Sequence, residues 1–76
     1  MTHNELDVVV LAVDLPEFGL RKDDLGTIVH IYTGARSFEV EFVASNGDTI
    51  AMTSLKPEQI LPFKPGSRAV PRVVVA

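Results

Sequence analysis

The chain has no cysteine and no tryptophan, and only one tyrosine and two histidines among its 76 residues. Without cysteine there is neither a disulfide framework nor a thiolate metal site, and a reducing cytosol suits it. At this length a single core stabilises a fold by only about 3–5 kcal/mol without such staples. The core must therefore suffice, or a partner must help. No apolar run approaches the roughly 18–20 residues that span a bilayer, and the start, MTHNELD, lacks the basic and apolar segments of a signal peptide. A cytoplasmic location with no membrane partner is the expectation. Also missing are a glycine-framed nucleophile, a phosphate-cradling glycine loop, and any carboxylate spaced with His3 or His30 as a metal box. These absences predict no catalytic residues, no metal, no cofactor and no small-molecule substrate.

What remains is globular material. Hydrophobic residues make up 46% of the chain and charged ones 22%, too apolar a mixture for a disordered segment. The formal charge of −3 is unevenly spread. Residues 1–58 hold all ten carboxylates against Arg21, Lys22, Arg36 and Lys56, a formal −6, whereas 59–76 hold only Lys64, Arg68 and Arg72, a formal +3. An acidic body repels phosphate backbones, which disfavours nucleic acid as a partner.

Residues 6–11 hold Val8, Val9 and Val10 in a short β-branched run that predicts a first strand. Residues 12–24 carry Asp14, Pro16, Gly19, Asp23 and Asp24 around Leu15 and Leu20, the composition of a long structured loop. From 26 to 32 the residues alternate, placing Ile28, His30 and Tyr32 on one face and Thr27, Val29 and Ile31 on the other. A turn at Gly34-Ala35 leads to residues 38–43, where Phe38, Val40 and Phe42 alternate with Glu39 and Glu41. Asn46-Gly47 supplies a tight hairpin turn, and residues 49–55 continue as a strand with Ile50, Met52 and Ser54 on one face. Pro57 starts a helical turn over 56–59, before a short fifth strand at 60–63.

This order predicts an all-β domain over residues 1–63, a small five-stranded SH3-like barrel with a short helical turn before the last strand. Five short strands closing on one core would also hide most edges. An OB-fold would want longer strands and a helix between strands three and four, where the Asn-Gly turn leaves no space. Residues 64–76, KPGSRAVPRVVVA, have the composition of an extended C-terminal tail, either a frayed end or a docking strand.

The segments Asp7-x-Val9 with Leu11, Asp14-Leu15-Pro16-Glu17-x-Gly19-Leu20, Asp24-x-Gly26-Thr27-Ile28-Val29 and Phe38-Glu39-Val40-Glu41-Phe42 together resemble a family of small bacterial proteins described as a domain of unknown function. The resemblance covers about residues 5–62, and its D-L-P-E-x-G-L loop and D-x-G-T-[IV]-V motif carry it. It implies an SH3-like barrel and brings no activity. The segment from Asp24 to Val29 is also similar to the glycine-centred turn of KOW-type barrels, which implies a nucleic-acid-associated role. Those turns tend to be basic, whereas Asp23 and Asp24 are acidic here.

Two features exceed what a core requires. The first is the loop over 14–24, where Asp14, Glu17, Asp23 and Asp24 gather negative charge around Phe18. In eukaryotic SH3 domains the corresponding loop pairs its acids with an arginine of a proline-rich peptide. The plain structural reading is a loop whose Leu15 and Leu20 plug the barrel end. Phe18 at the loop tip and Tyr32 are the aromatic residues expected to anchor a partner. The second feature is the tail, where Val73, Val74 and Val75 follow Pro71 and would add as a strand to a neighbouring copy while Arg68 and Arg72 pair with its acidic body. The partner-binding set is therefore Asp14, Glu17, Phe18, Asp23, Asp24, Tyr32, Arg68, Arg72 and Val74. The expected function is a non-catalytic protein-interaction module or small accessory subunit whose partner is another protein or itself as a homo-oligomer. The alternatives are a KOW-like nucleic-acid-associated barrel and an antitoxin-like regulatory protein of a mobile operon.

Overall fold

Alternation of large apolar and acidic residues makes Phe38–Val43 a strand with one face for the core and one for water. Around it the chain forms a single antiparallel sheet of five strands: β1 Val8–Leu11, β2 Leu25–Ile31, β3 Phe38–Val43, β4 Thr49–Leu55 and β5 Ile60–Pro62, ordered β4-β3-β2-β1-β5. The computed structural model describes residues 3–44 and 46–63. The fold is all-β and SH3-like, and among the described residues its helical content is confined to 3-10 turns at Pro16–Phe18, Thr33–Ala35 and Pro57–Gln59. The sheet is open, with β4 and β5 as its outer strands, so among the described residues its two edges are not paired with each other. The tail expected to be extended over 64–76 lies outside the described residues.

The core is built from Val9 and Leu11 of β1, Ile28 of β2, Phe38, Val40 and Phe42 of β3, Ala51 and Leu55 of β4, and Ile60 of β5. Leu15 and Leu20 from the long loop close one end, as the sequence suggested. Gly26 lies where β2 crosses this core. A Cβ there would sit 2.6 Å from Val40 Cγ1 and 2.7 Å from Phe42 Cε1, so the residue is glycine because backbone and aromatic ring touch.

Two bulges alter the facing expected from strict alternation. Ile28 pairs with Val40, but His30 pairs with Glu39, so Val29 is an extra residue in β2. Beyond it the facing inverts: His30 is exposed, and Ile31 instead packs against the core. The expected face of Ile28, His30 and Tyr32 is therefore broken after Ile28. In the same way Phe42 pairs with Ala51 and Val43 with Thr49, leaving Ile50 as the extra residue of β4, packed against the core, while Met52 is half exposed. Between β3 and β4 the chain reverses with Gly47 at φ +92°, a region open to glycine. Gly47 N–H donates to the Ala44 carbonyl (2.9 Å), and Ala44 N–H donates to the Asp48 carbonyl (2.8 Å).

Candidate functional site

The long loop is tied at its neck by Leu15 and Leu20, each of whose N–H groups donates to the other's carbonyl (3.0 and 3.1 Å). Pro16, with φ preset by its ring, opens the 3-10 turn, and Gly19 ends it at φ +70°. Between them Glu17 and Phe18 are carried into solvent, Phe18 with 40% of its surface exposed. The four loop carboxylates do not form one patch. Asp14 is exposed, but its Oδ1 accepts the Lys22 N–H (2.8 Å). Asp24 is fully buried, with Oδ2 accepting the Arg21 N–H (2.9 Å). It thus belongs to the loop's internal scaffold, because a carboxylate without surface cannot meet a partner. Glu17, next to Phe18 in the chain, and Asp23, with φ +78°, remain as exposed acids of the loop.

Tyr32 belongs to a different cluster, on the outer face of β2, β3 and β4. Its hydroxyl donates to Glu39 Oε1 (3.1 Å), which also accepts from Ser54 Oγ (2.7 Å), and the His30 ring meets the tyrosine ring edge to face at 4.7 Å. Glu41, two residues along on the same face, accepts from Thr49 Oγ1 (2.8 Å). Among the described residues no three His, Cys, Asp or Glu side chains gather as metal ligands, and no helix is long and apolar enough to cross a membrane. Arg68, Arg72 and Val74 lie outside the described residues.

The other end of the outer face is apolar, which the sequence reading missed. Val9 and Leu11 point inward, so Val8 and Val10 point out. Val10 lies between Leu61 and Leu25, and Val8 lies beside Phe63, whose N–H donates to the Val8 carbonyl (3.2 Å). Val8, Leu61 and Phe63 are 43%, 50% and 36% exposed. The signal was available. The stretches Val8-Val9-Val10-Leu11 and Ile60-Leu61-Pro62-Phe63 are apolar at both parities, which a strand with one solvated face would not be.

The two outer strands differ in what their backbones offer. On β5 the pairing of Phe63 with Val8 and of Gln59 with Ala12 turns Phe63, Leu61 and Gln59 toward β1, leaving Ile60 and Pro62 to face away. Ile60 N–H is already donated to the Pro57 carbonyl, and proline has no N–H. On β3, Tyr32 N–H donates to the Ser37 carbonyl and Ala44 N–H to the Asp48 carbonyl, which fixes the phase. Phe38, Val40 and Phe42 turn their backbone groups to β4, where they meet Leu55, Thr53 and Ala51. Met52 and Ser54 therefore direct both N–H and C=O out of the sheet.

No curated protein and no solved structure matches the chain. One family model matches, over residues 5–62, and it spans β1 to β5 with the loop motif Asp14 to Leu20 and the Gly26 crossing inside it. The chain belongs to the family described as Domain of unknown function (DUF4926).

Proposed function

We propose that this chain is a non-catalytic protein-interaction module of the cytoplasm, a small accessory subunit that also associates with itself. The observation that carries this reading is the apolar end of the outer face, where Val8, Leu61 and Phe63 stand exposed on adjacent strands with Val10 and Leu25 beside them. Singly exposed apolar residues are ordinary, but a contiguous set on two paired strands marks a contact surface. Covering a side chain of this size contributes roughly 1.5–3 kcal/mol if burial is complete. In so small a domain that is comparable with the stability of the fold itself. Exposed Phe18 offers a second anchor at the loop tip.

The test is capture with the full chain and with Leu61→Asp side by side. Leu61 is half exposed, so the charge should leave the fold intact. Proteins retained by the wild type and lost by the variant support the reading, and identical retention by both removes this face from it. A gel shift at low salt, where electrostatic affinity is greatest, tests the nucleic-acid alternative in the same samples.

A further inference from the structure

Among the described residues the β4 edge is long and has no strand against its outer side. It runs for seven residues, Thr49–Leu55, as an outer strand of the sheet. Its sequence, TIAMTSL, contains neither proline nor charge, the two devices that commonly keep an edge from pairing. Met52 and Ser54 each present a donor and an acceptor outward, as the phase of the β3 ladder requires. Resting on the self-association reading above, we propose that the occupant of this edge is residues 70–75 of a second copy, each chain lending its segment to the other's β4 so that two-fold symmetry closes the pair.

The segment's own chemistry selects how it would sit. In Val70-Pro71-Arg72-Val73-Val74-Val75 the proline has no N–H, so Pro71 must face away from the ladder. Alternation then turns the backbone of Val70, Arg72 and Val74 toward β4, opposite Met52 and Ser54. Partners that share hydrogen bonds keep their side chains on the same face, which places Arg72 on the outer face. Met52 pairs with Glu41 and Ser54 with Glu39. Whichever of the two Arg72 opposes, a β3 glutamate stands in line with it. Val73 and Val75 fall on the core side. Of the formal +3 of residues 59–76, Arg72 is the charge inside this segment, and the register sets it against the formal −6 of residues 1–58.

A second copy fits better than the chain's own segment. Phe63, Val8, Thr27, Glu41 and Met52 form one row across the sheet, and a segment laid against β4 would lie one spacing further, five strand spacings or roughly 24 Å from Phe63. The seven steps from Phe63 to residue 70 cover about 23–25 Å only at full extension, at 3.3–3.6 Å per residue, so the chain's own segment would have no slack to reach that position. The Pro65-Gly66 pair within those steps favours a bend.

The experiment uses the full chain throughout. Light scattering across a concentration series should give the mass of two copies, and exchange of the Met52 and Ser54 amides should slow at least tenfold where that mass prevails. Met52→Pro removes only an outward donor, and Val74→Pro alters a residue beyond the sheet. Each should return the mass of one copy, and Arg72→Glu should weaken association about tenfold. A two-copy mass unchanged by both proline variants overturns the β4 site while leaving self-association standing. A one-copy mass with slow, concentration-independent Met52 and Ser54 amides overturns the second copy in favour of the chain's own segment. A one-copy mass with fast amides removes self-association along with the edge proposal.

Discussion

The outer strands β5 and β4 end the same sheet in opposite ways. β5 is three residues long, and the two residues that face away from the sheet have no N–H to give, one being proline and the other bonded back to the Pro57 turn. A strand laid against it would find carbonyls only. β4 is more than twice as long and offers complete peptide groups at Met52 and Ser54. Exposed edges of this kind template pairing with another chain. The asymmetry is chemical, since a proline and a 3-10 turn close one edge. It teaches that a fold can direct association by leaving one of its two edges unprotected.

The largest expected effect separates neighbours on β4. Thr53 turns its N–H to Val40 on β3, and Met52 turns its own outward. Thr53→Pro should therefore remove an interior ladder bond and leave the Val40 carbonyl without its donor, costing up to about 3 kcal/mol, comparable with the whole stability of a domain of this size. Met52→Pro should cost the isolated fold less than about 1 kcal/mol. Urea denaturation at a concentration low enough for single chains reads both. Equal losses would show that the assigned phase of β4, and with it the contrast between the edges, is wrong.

The next effect lies midway between the edges. Gly26 pairs with Val9 while touching Val40 and Phe42, so Gly26→Ala should overpack the core by about 2 kcal/mol. The melting midpoint would show it. A neutral result would mean that β2 can withdraw from the core without disturbing β1 and β5, so the closed edge would rest on a softer base than the open one.

The loop supplies a third lever, because it holds β1, the strand on which β5 pairs. Leu11 N–H donates to the Asp24 carbonyl (2.9 Å), and the buried Asp24 carboxylate fixes the Arg21 N–H. Asp24→Ala should cost about 1.5–3 kcal/mol, the range for a hydrogen bond to a charged group. Asp14→Ala, whose carboxylate accepts a backbone N–H at the surface, should cost under about 1 kcal/mol. Amide exchange in β1 and β5 should quicken in the first variant and not in the second. Equal exchange would show that the closed edge stands without the loop.

What the sequence made legible follows the same division between local and long-range causes. β3 was readable because Phe38, Val40 and Phe42 alternate with acids, and the turn before β5 was readable because Pro57 marks its start. The bulges at Val29 and Ile50 were not, since each residue is ordinary in its own strand and becomes surplus only against the residues it must pair with. Asp24 looked like surface charge beside Asp23, and only the folded loop shows it turned inward to a backbone donor. The edges were legible in part. Pro62 and the uncharged run of β4 stand in plain view, but which backbone groups face outward depends on the phase of the neighbouring ladder.

The smallest expected change in stability tests the closed edge most directly. Pro62→Val restores an N–H on the outward side of β5, where none exists now. Losing proline's restriction on the unfolded chain costs about 0.4–1 kcal/mol, and a β-branched residue in an edge strand recovers part of that. The melting temperature should therefore move by only a few degrees. Association should respond more. With the introduced valine as donor, and its own carbonyl and that of Ile60 as acceptors, β5 would become a second pairing edge, and chains joined through both edges need not close into a pair. Light scattering should then show mass rising beyond two copies with concentration, while Met52→Pro in the same chain should cap it by removing the other edge. A Pro62→Val chain that keeps the wild-type mass at every concentration would show that the bend into the Pro57 turn, rather than the missing N–H, closes this side of the sheet.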